Sequence, residues 1–120
     1  MAQHNDLGKW GEQLAVEFLQ KENYTILETN WTFGKAEVDI IARKEQILAV
    51  IEVKTRSSLE FGLPQEFVKP KKIKLLTNAI NEYVIMNDLD VHVRFDIIAI
   101  YSQNKNSNKI EHLTDAYLYF

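Results

Sequence analysis

Cysteine is absent from the 120 residues. Disulfides, thiolate metal ligands and cysteine nucleophiles are thereby excluded, and the chain suits a reducing compartment. No stretch approaches the roughly 20 apolar residues needed to cross a bilayer. The amino-terminal MAQHNDLGKW lacks the basic start and apolar core of a secretion signal, so the cytoplasm is the expected location. Three histidines, His4, His92 and His112, have no ligand spacing, which argues against a zinc site. They read as a disordered terminus and two surface or strand-end residues. Glycine occurs four times and proline twice, and no repeat, linker or low-complexity stretch is visible. The pair Gly8-x-x-Gly11 follows no predicted strand, so it is not a dinucleotide motif.

What is present describes an ordinary globular protein, with 46% hydrophobic and 26% charged residues. The length suits one compact domain over residues 1–120, with a core at about 7–101 followed by a polar turn and a carboxy-terminal edge strand or tail. A formal charge of −3 looks unfavourable for a nucleic-acid partner, but its distribution matters more. Lys54 to Lys74 holds six basic and two acidic residues, leaving +4 there and −7 elsewhere. Such a basic segment suits phosphate contact beside an acidic pocket; a solvated, lysine-rich helix start is the plainer reading.

Apolar residues at helical spacing predict an amphipathic helix from about Leu7 to Lys21, capped by Asn5 or Asp6. Gly8 and Gly11 would weaken that helix, so its first turns are expected to lie close to the sheet or to a bound phosphate. Strand patterns follow over 24–33, 36–43 and 47–55, with Phe33-Gly34-Lys35 and Lys44-Glu45-Gln46 as turns that favour antiparallel pairing. The third strand is apolar on both faces up to Val50 and should be central. Residues 57–69 show no periodicity and form the expected substrate-facing loop. Pro70 opens a helix to about Met86, in which Lys71, Lys72 and Lys74 lie at the end where positive charge opposes the dipole. Bound phosphate would offset that cost. VHVRFDIIAIY then gives an interior strand over 91–101. The order α-β-β-β-α-β, with an optional last strand, implies an α/β fold with a mixed sheet and helices packed against it.

Within this frame the chemistry concentrates in VDIIA and ILAVIEVK, two strongly apolar segments that carry Asp39, Glu52 and Lys54. Burying such groups without partners is expensive. Glu52 and Lys54 share one strand face because residues two apart point the same way. If the preceding strand lies alongside, Asp39 meets the same space. Two carboxylates and an ammonium suit a hard cation, with the lysine left for an anionic substrate or an attacking water, and so a metal-dependent phosphodiesterase. The alternative is a buried salt-bridge cluster. Glu12 falls on the helix side shared with Ala15, Val16 and Leu19 and is expected to point inward.

GKWGEQLAVEFL, AEVDIIARK, IEVKTR, FGLPQEFV and RFDIIAI together resemble the uncharacterised bacterial YraN family, which is placed in the PD-(D/E)xK nuclease superfamily and related to Holliday-junction resolvases. The similarity covers most of residues 7–101. It implies a restriction-endonuclease-like αβββαβ core, divalent-metal binding, and cleavage of branched or otherwise structured DNA. Asp39 matches the aspartate of the motif, Glu52 and Lys54 match its (D/E)xK pair, and Glu12 matches the first-helix glutamate that completes the acidic cluster in resolvase-like members. Ala36 stands where the family pattern usually has glycine.

On this reading Asp39 and Glu52 hold Mg²⁺ or Mn²⁺ with the Val53 carbonyl as a third protein ligand, Glu12 contacts the metal or its water, and Lys54 orients water or phosphate. Arg56, Lys69, Lys71, Lys72, Lys74 and Gln65 are the candidate nucleic-acid contacts. Glu37 is either a further acid on the Asp39 face or a solvent-facing residue, and Asp96 is expected to pair with a basic neighbour such as Arg94 or to cap a backbone N–H. Trp10, Trp31, Phe33 and Phe61 could stack on bases, although core or rim packing is the commoner use of such residues. Three functions compete: a nuclease, acting as a homodimer if two linked cuts are needed; a non-cleaving nucleic-acid-binding module; and a protein-interaction domain with an unknown protein partner.

Overall fold

A computed structural model describes residues 2–56, 70–104 and 107–116, with side chains from residue 7 to 56, 70 to 101 and 108 to 116. Its elements run α1 (Ala2–Lys21), β1 (Thr25–Phe33), β2 (Ala36–Lys44), β3 (Ile47–Arg56), α2 (Pro70–Met86), β4 (His92–Asn104) and β5 (Ser107–Leu113). One five-stranded sheet has the order β1-β2-β3-β4-β5. β1, β2 and β3 form an antiparallel meander, β3 and β4 are parallel, and β5 returns antiparallel to β4. A parallel pair needs a crossover, and α2 lies within it.

The two helices cover opposite faces. Ala15 and Leu19 of α1 pack with Ile40, Ala42, Ala49, Ile51, Ile98 and Ile100. Leu76, Ile80 and Tyr83 of α2 pack with Val38, Ile41, Leu48, Val50 and Ile97. β3 supplies both sets by strict alternation, as expected of a central strand covered above and below. The result is the α/β fold with a mixed sheet between helices implied by the sequence, a restriction-endonuclease-like core.

Several boundaries differ from expectation. α1 begins at Ala2, so Asn5 and Asp6 lie inside the helix rather than capping it, and His4 is helical. The helix gains five residues because no Gly or Pro precedes Gly8 to stop it. At its other end Asn23 is left-handed (φ 72°). Tyr24 N–H donates to Leu19 C=O at 2.9 Å and Asn23 N–H to Gln20 C=O at 3.1 Å, the paired bonds that close a helix around a left-handed residue. α2 ends the same way around Asp88 (φ 50°). β4 continues to Asn104 and pairs with β5, so of the two expectations after residue 101, an edge strand or a tail, the strand is found. Gly34 (φ 60°) and Glu45 (φ 54°) make the two meander turns, Arg43 Nε donating to the Glu45 carbonyl at 2.9 Å.

Candidate functional site

The site arises where two strands part. β2 and β3 are paired from Lys44↔Ile47 to Ile40↔Ile51, and there the register stops. The next pair in sequence would be Asp39 with Glu52. In place of a backbone carbonyl, Asp39 Oδ2 accepts the Val53 N–H at 2.8 Å. Alternation along β2 also breaks here, since Val38 packs on the α2 side and Ile40 on the α1 side. Asp39 therefore stands in the crotch of the fork and reaches cavities on both sides. β3 stays straight, because its register with β4 runs unbroken from Ile47↔His92 to Arg56↔Tyr101.

α1 brings Glu12 to this point. A Cβ on Gly11 would lie 2.1 Å from Thr55 Oγ1 and 3.2 Å from Thr55 Cβ, so the helix touches β3 through a glycine. Of the two origins considered for the glycines, close approach to the sheet is the one found at Gly11; Gly8 has open space around it. Gly11→Ala should cost about 1–3 kcal/mol in urea denaturation by overpacking this crossing. The double variant with Thr55→Ala should recover most of the loss.

On the α2 side Glu52 is the hub. Its Oε1 is 3.5 Å from Lys54 Nζ and forms a second ion pair with Lys72. The side chains of Glu52 and Lys54 are 16% and 18% exposed, so both are partly withdrawn from water, and Glu52 lines a cavity of about 200 Å³ with Lys35, Glu37, Asp39 and Lys72. On the α1 side a cavity of about 140 Å³ joins Asp39 to Lys9, Glu12, Gln13 and Asn30. Burial raises the Asp39 carboxyl to a pKa of about 6, opposed by the Val53 hydrogen bond and reinforced by the negative charges of Glu12 and Glu52. Glu12 and Glu52 thus both add to the negative field at Asp39.

The chemistry of this donor set fits a hard dication: three carboxylates, one of them raised chiefly by burial, beside cavities on both sides of the sheet. The cage is not preformed. Among the described residues no three acidic or histidine side chains converge tightly enough to ligate a metal, and both ion-paired cations sit on Glu52. The amide of Val53 is committed to Asp39.

The basic residues divide. Lys71 and Lys74 are exposed on α2, whereas Lys72 turns inward onto Glu52. Lys72 thus belongs to the acidic cluster itself, a role beyond the phosphate contact assigned from sequence. The signal available was its place one turn before the buried Leu76. Arg56 Nη1 donates to the Thr55 carbonyl at 2.9 Å. Gln65, Lys69, Phe61 and the expected substrate loop lie outside the described residues. Glu37 is exposed and lines the same cavity as Asp39. Trp31 packs edge-on against Tyr83, with ring centroids 5.2 Å apart, and stacks on Phe33, so it serves packing.

A second polar cluster lies under α1, away from the fork. Asp96 is 0% exposed and accepts from Arg94 Nε at 2.9 Å and Arg94 Nη2 at 2.8 Å. His112 Nε2 lies 2.8 Å from its Oδ2, and the Asp115 N–H donates to Oδ1 at 3.2 Å. Arg94 also donates to Tyr24 Oη at 2.6 Å. The expected Arg94–Asp96 pair is present. His112, by contrast, is no surface residue: it is drawn in by Asp96 and flanked by Phe18 and Tyr24.

The family profile described as "Uncharacterised protein family UPF0102" matches residues 11–100, which span the helix crossing, the fork and the two central strands. The chain belongs to UPF0102. Relatives at full length agree. A UPF0102 protein of Flavobacterium psychrophilum is 68% identical over 120 residues, covering all of both chains. One from Bacteroides fragilis is 44% identical over 117 residues, covering 98% of this chain and 96% of its own. One from Porphyromonas gingivalis is 38% identical over 118 residues, covering 98% and 87%. UPF0102, the YraN family, is by homology part of the PD-(D/E)xK-like superfamily. No helix among the described residues of this UPF0102 member is long and apolar enough to cross a membrane.

Proposed function

We propose that the protein is a divalent-metal-dependent endonuclease that hydrolyses phosphodiester bonds in branched or structured DNA. The observation that carries this reading is the strand fork, which sets Asp39 beside Glu52 where their β-ladder ends. Glu12, Asp39, Glu52 and the Val53 carbonyl are the groups to hold Mg²⁺ or Mn²⁺, which would supply Lewis-acid stabilisation of the phosphate and an acidified water. Lys54 orients the nucleophilic water or a phosphate oxygen from the Glu52 face. The Val53 amide fixes the Asp39 carboxylate, so that one oxygen is tethered and the other is left to the cleft. Arg56, Lys71 and Lys74, together with Lys69 and Gln65, supply sequence-independent phosphate contact. Two linked cuts in a branched substrate would call for a homodimer.

Purified protein incubated with labelled four-way junction, flap, single-stranded and linear duplex DNA in Mg²⁺ or Mn²⁺ should cut one of the branched substrates. Chelation and Glu52→Ala should each abolish the cut, by about 10³-fold or more in rate, the scale of losing a principal source of electrostatic stabilisation. Cleavage undiminished in Glu52→Ala would refute the assignment. The pairing of Glu52 with two lysines favours one other reading, a binding module whose acidic cluster is structural. Tight, salt-sensitive junction binding with no cleavage in either metal would select it.

A further inference from the structure

Lys72 is the element of the fork that the proposed reaction does not use. It reaches in from the first turn of α2, where positive charge opposes the helix dipole, so its position is set by what it pairs with. Its ammonium binds the same Glu52 oxygen that Lys54 approaches. It also counts among the positive charges that pull the Asp39 carboxyl down. Its side chain is 41% exposed against 16% for Glu52, which puts the ammonium at the mouth of the cavity and the carboxylate inside. A four-carbon stem from a helix end can leave without disturbing the core, unlike Lys54, which rises from a central strand.

We infer that Lys72 is a resident counter-cation that a divalent metal must displace from Glu52, and that the displaced ammonium then engages a phosphate of the substrate. This deepens the proposed nuclease reading and rests on it. Lys72 acts through Glu52 and is a positioning residue. With metal absent, it joins Lys54 as a second cation on a carboxylate that shares the site with Asp39 and Glu12. With metal present, Glu52 has a stronger partner, and the lysine becomes available beside the cleft. Linkage makes the consequence reciprocal: whatever draws Lys72 outward strengthens metal binding, and metal strengthens binding of an anion that Lys72 can reach.

The test measures metal and DNA binding without turnover. Mn²⁺ affinity is read by electron paramagnetic resonance on DNA-free wild type, Lys72→Met, Lys72→Arg and Glu52→Gln. Junction affinity is read by fluorescence anisotropy with and without Ca²⁺. Lys72→Met should bind Mn²⁺ about 5–20-fold more tightly than wild type, the range of an ordinary coupling between sites, and Lys72→Arg should return close to wild type. The tightening of junction binding by Ca²⁺ should shrink several-fold in Lys72→Met. A nearby charge with no exchange would change the first quantity and leave the second alone, which overturns the inference. So would a Mn²⁺ affinity unchanged in Lys72→Met. Wild type that binds no Mn²⁺, or binds it as well after Glu52→Gln, refutes the metal reading itself along with the inference.

Discussion

Asp96→Ala should unfold the protein or bring it close to unfolding, with a loss of about 3–5 kcal/mol in urea or thermal denaturation. Every acceptor direction of the Asp96 carboxylate is used, by Arg94, His112 and the Asp115 amide. Removing it leaves the Arg94 guanidinium, among the described residues, with the Tyr24 hydroxyl as its remaining side-chain partner in a site made for an ion pair. The Asp96 hydrogen bonds hold that guanidinium well on its charged side, so deprotonation is no escape. Stability of a domain this size is on the order of 5–15 kcal/mol, and a loss of that scale removes a large part of it. Asp96→Asn should be milder, because an amide can still accept from Arg94, but its NH₂ replaces an acceptor that His112 and Arg94 share. Arg94→Met combined with Asp96→Leu should recover much of the stability, since a buried ion pair is replaceable by well-packed apolar groups when both partners go together. An Asp96→Ala protein with a wild-type unfolding midpoint would show that the cluster contributes nothing.

Asp39→Asn is expected to move stability and activity in opposite directions. Folding raises the Asp39 pKa from 3.8 to about 6, so the folded state binds that proton more tightly than the unfolded chain. The penalty for ionising it is absent below pH 3.8, grows as pH rises through the interval to 6, and is complete above it. At neutral pH the metal-free protein carries the whole penalty. Asparagine removes the charge, keeps a carbonyl to accept the Val53 N–H, and should stabilise the metal-free protein by about 1–2 kcal/mol at pH 7.5. The gain should fade on acidification to pH 4. Cleavage should fall by about 10³-fold or more, since an amide is a poor ligand for a hard dication. Chemical denaturation of both proteins at the two pH values, alongside the junction assay, checks the sign of each effect. A destabilised variant at neutral pH would mean that the carboxylate holds the fork together rather than straining it, a trade common where function occupies an unfavourable charge.

Periodicity located α1, β1 to β3, α2 and β4 apart from their ends, because the apolar alternation of 36–55 and the stripe Leu76, Ile80 and Tyr83 admit few alternatives, whereas β5 was legible only as a strand or a tail. Asp39, Glu52 and Lys54 stood out for a local reason as well: charges inside apolar runs are conspicuous in a linear chain. What the chain concealed was non-local. Lys72 looked like one lysine of three until α2 was set over β3, twenty residues back from it in sequence. His112 looked like an edge residue because its partner, Asp96, sits on the neighbouring strand. The fork was hidden too, since a ladder that stops after Ile40 and Ile51 leaves no mark on hydrophobicity. Only the burial cost of Asp39 hinted that something there replaced a backbone partner.

The fork has a mechanical meaning. Ten residues of β3 are clamped to β4, while β2 beyond Ile40 is held from the side by β1 and joined to β3 through one side chain. The molecule is a calliper with a fixed jaw bearing Glu52 and Lys54, and an outer jaw formed by the β1–β2 hairpin. That hairpin bounds the fork from outside. On the proposed nuclease reading, lengthening or stiffening its tip at Gly34 would change which DNA is admitted without moving the groups on the fixed jaw.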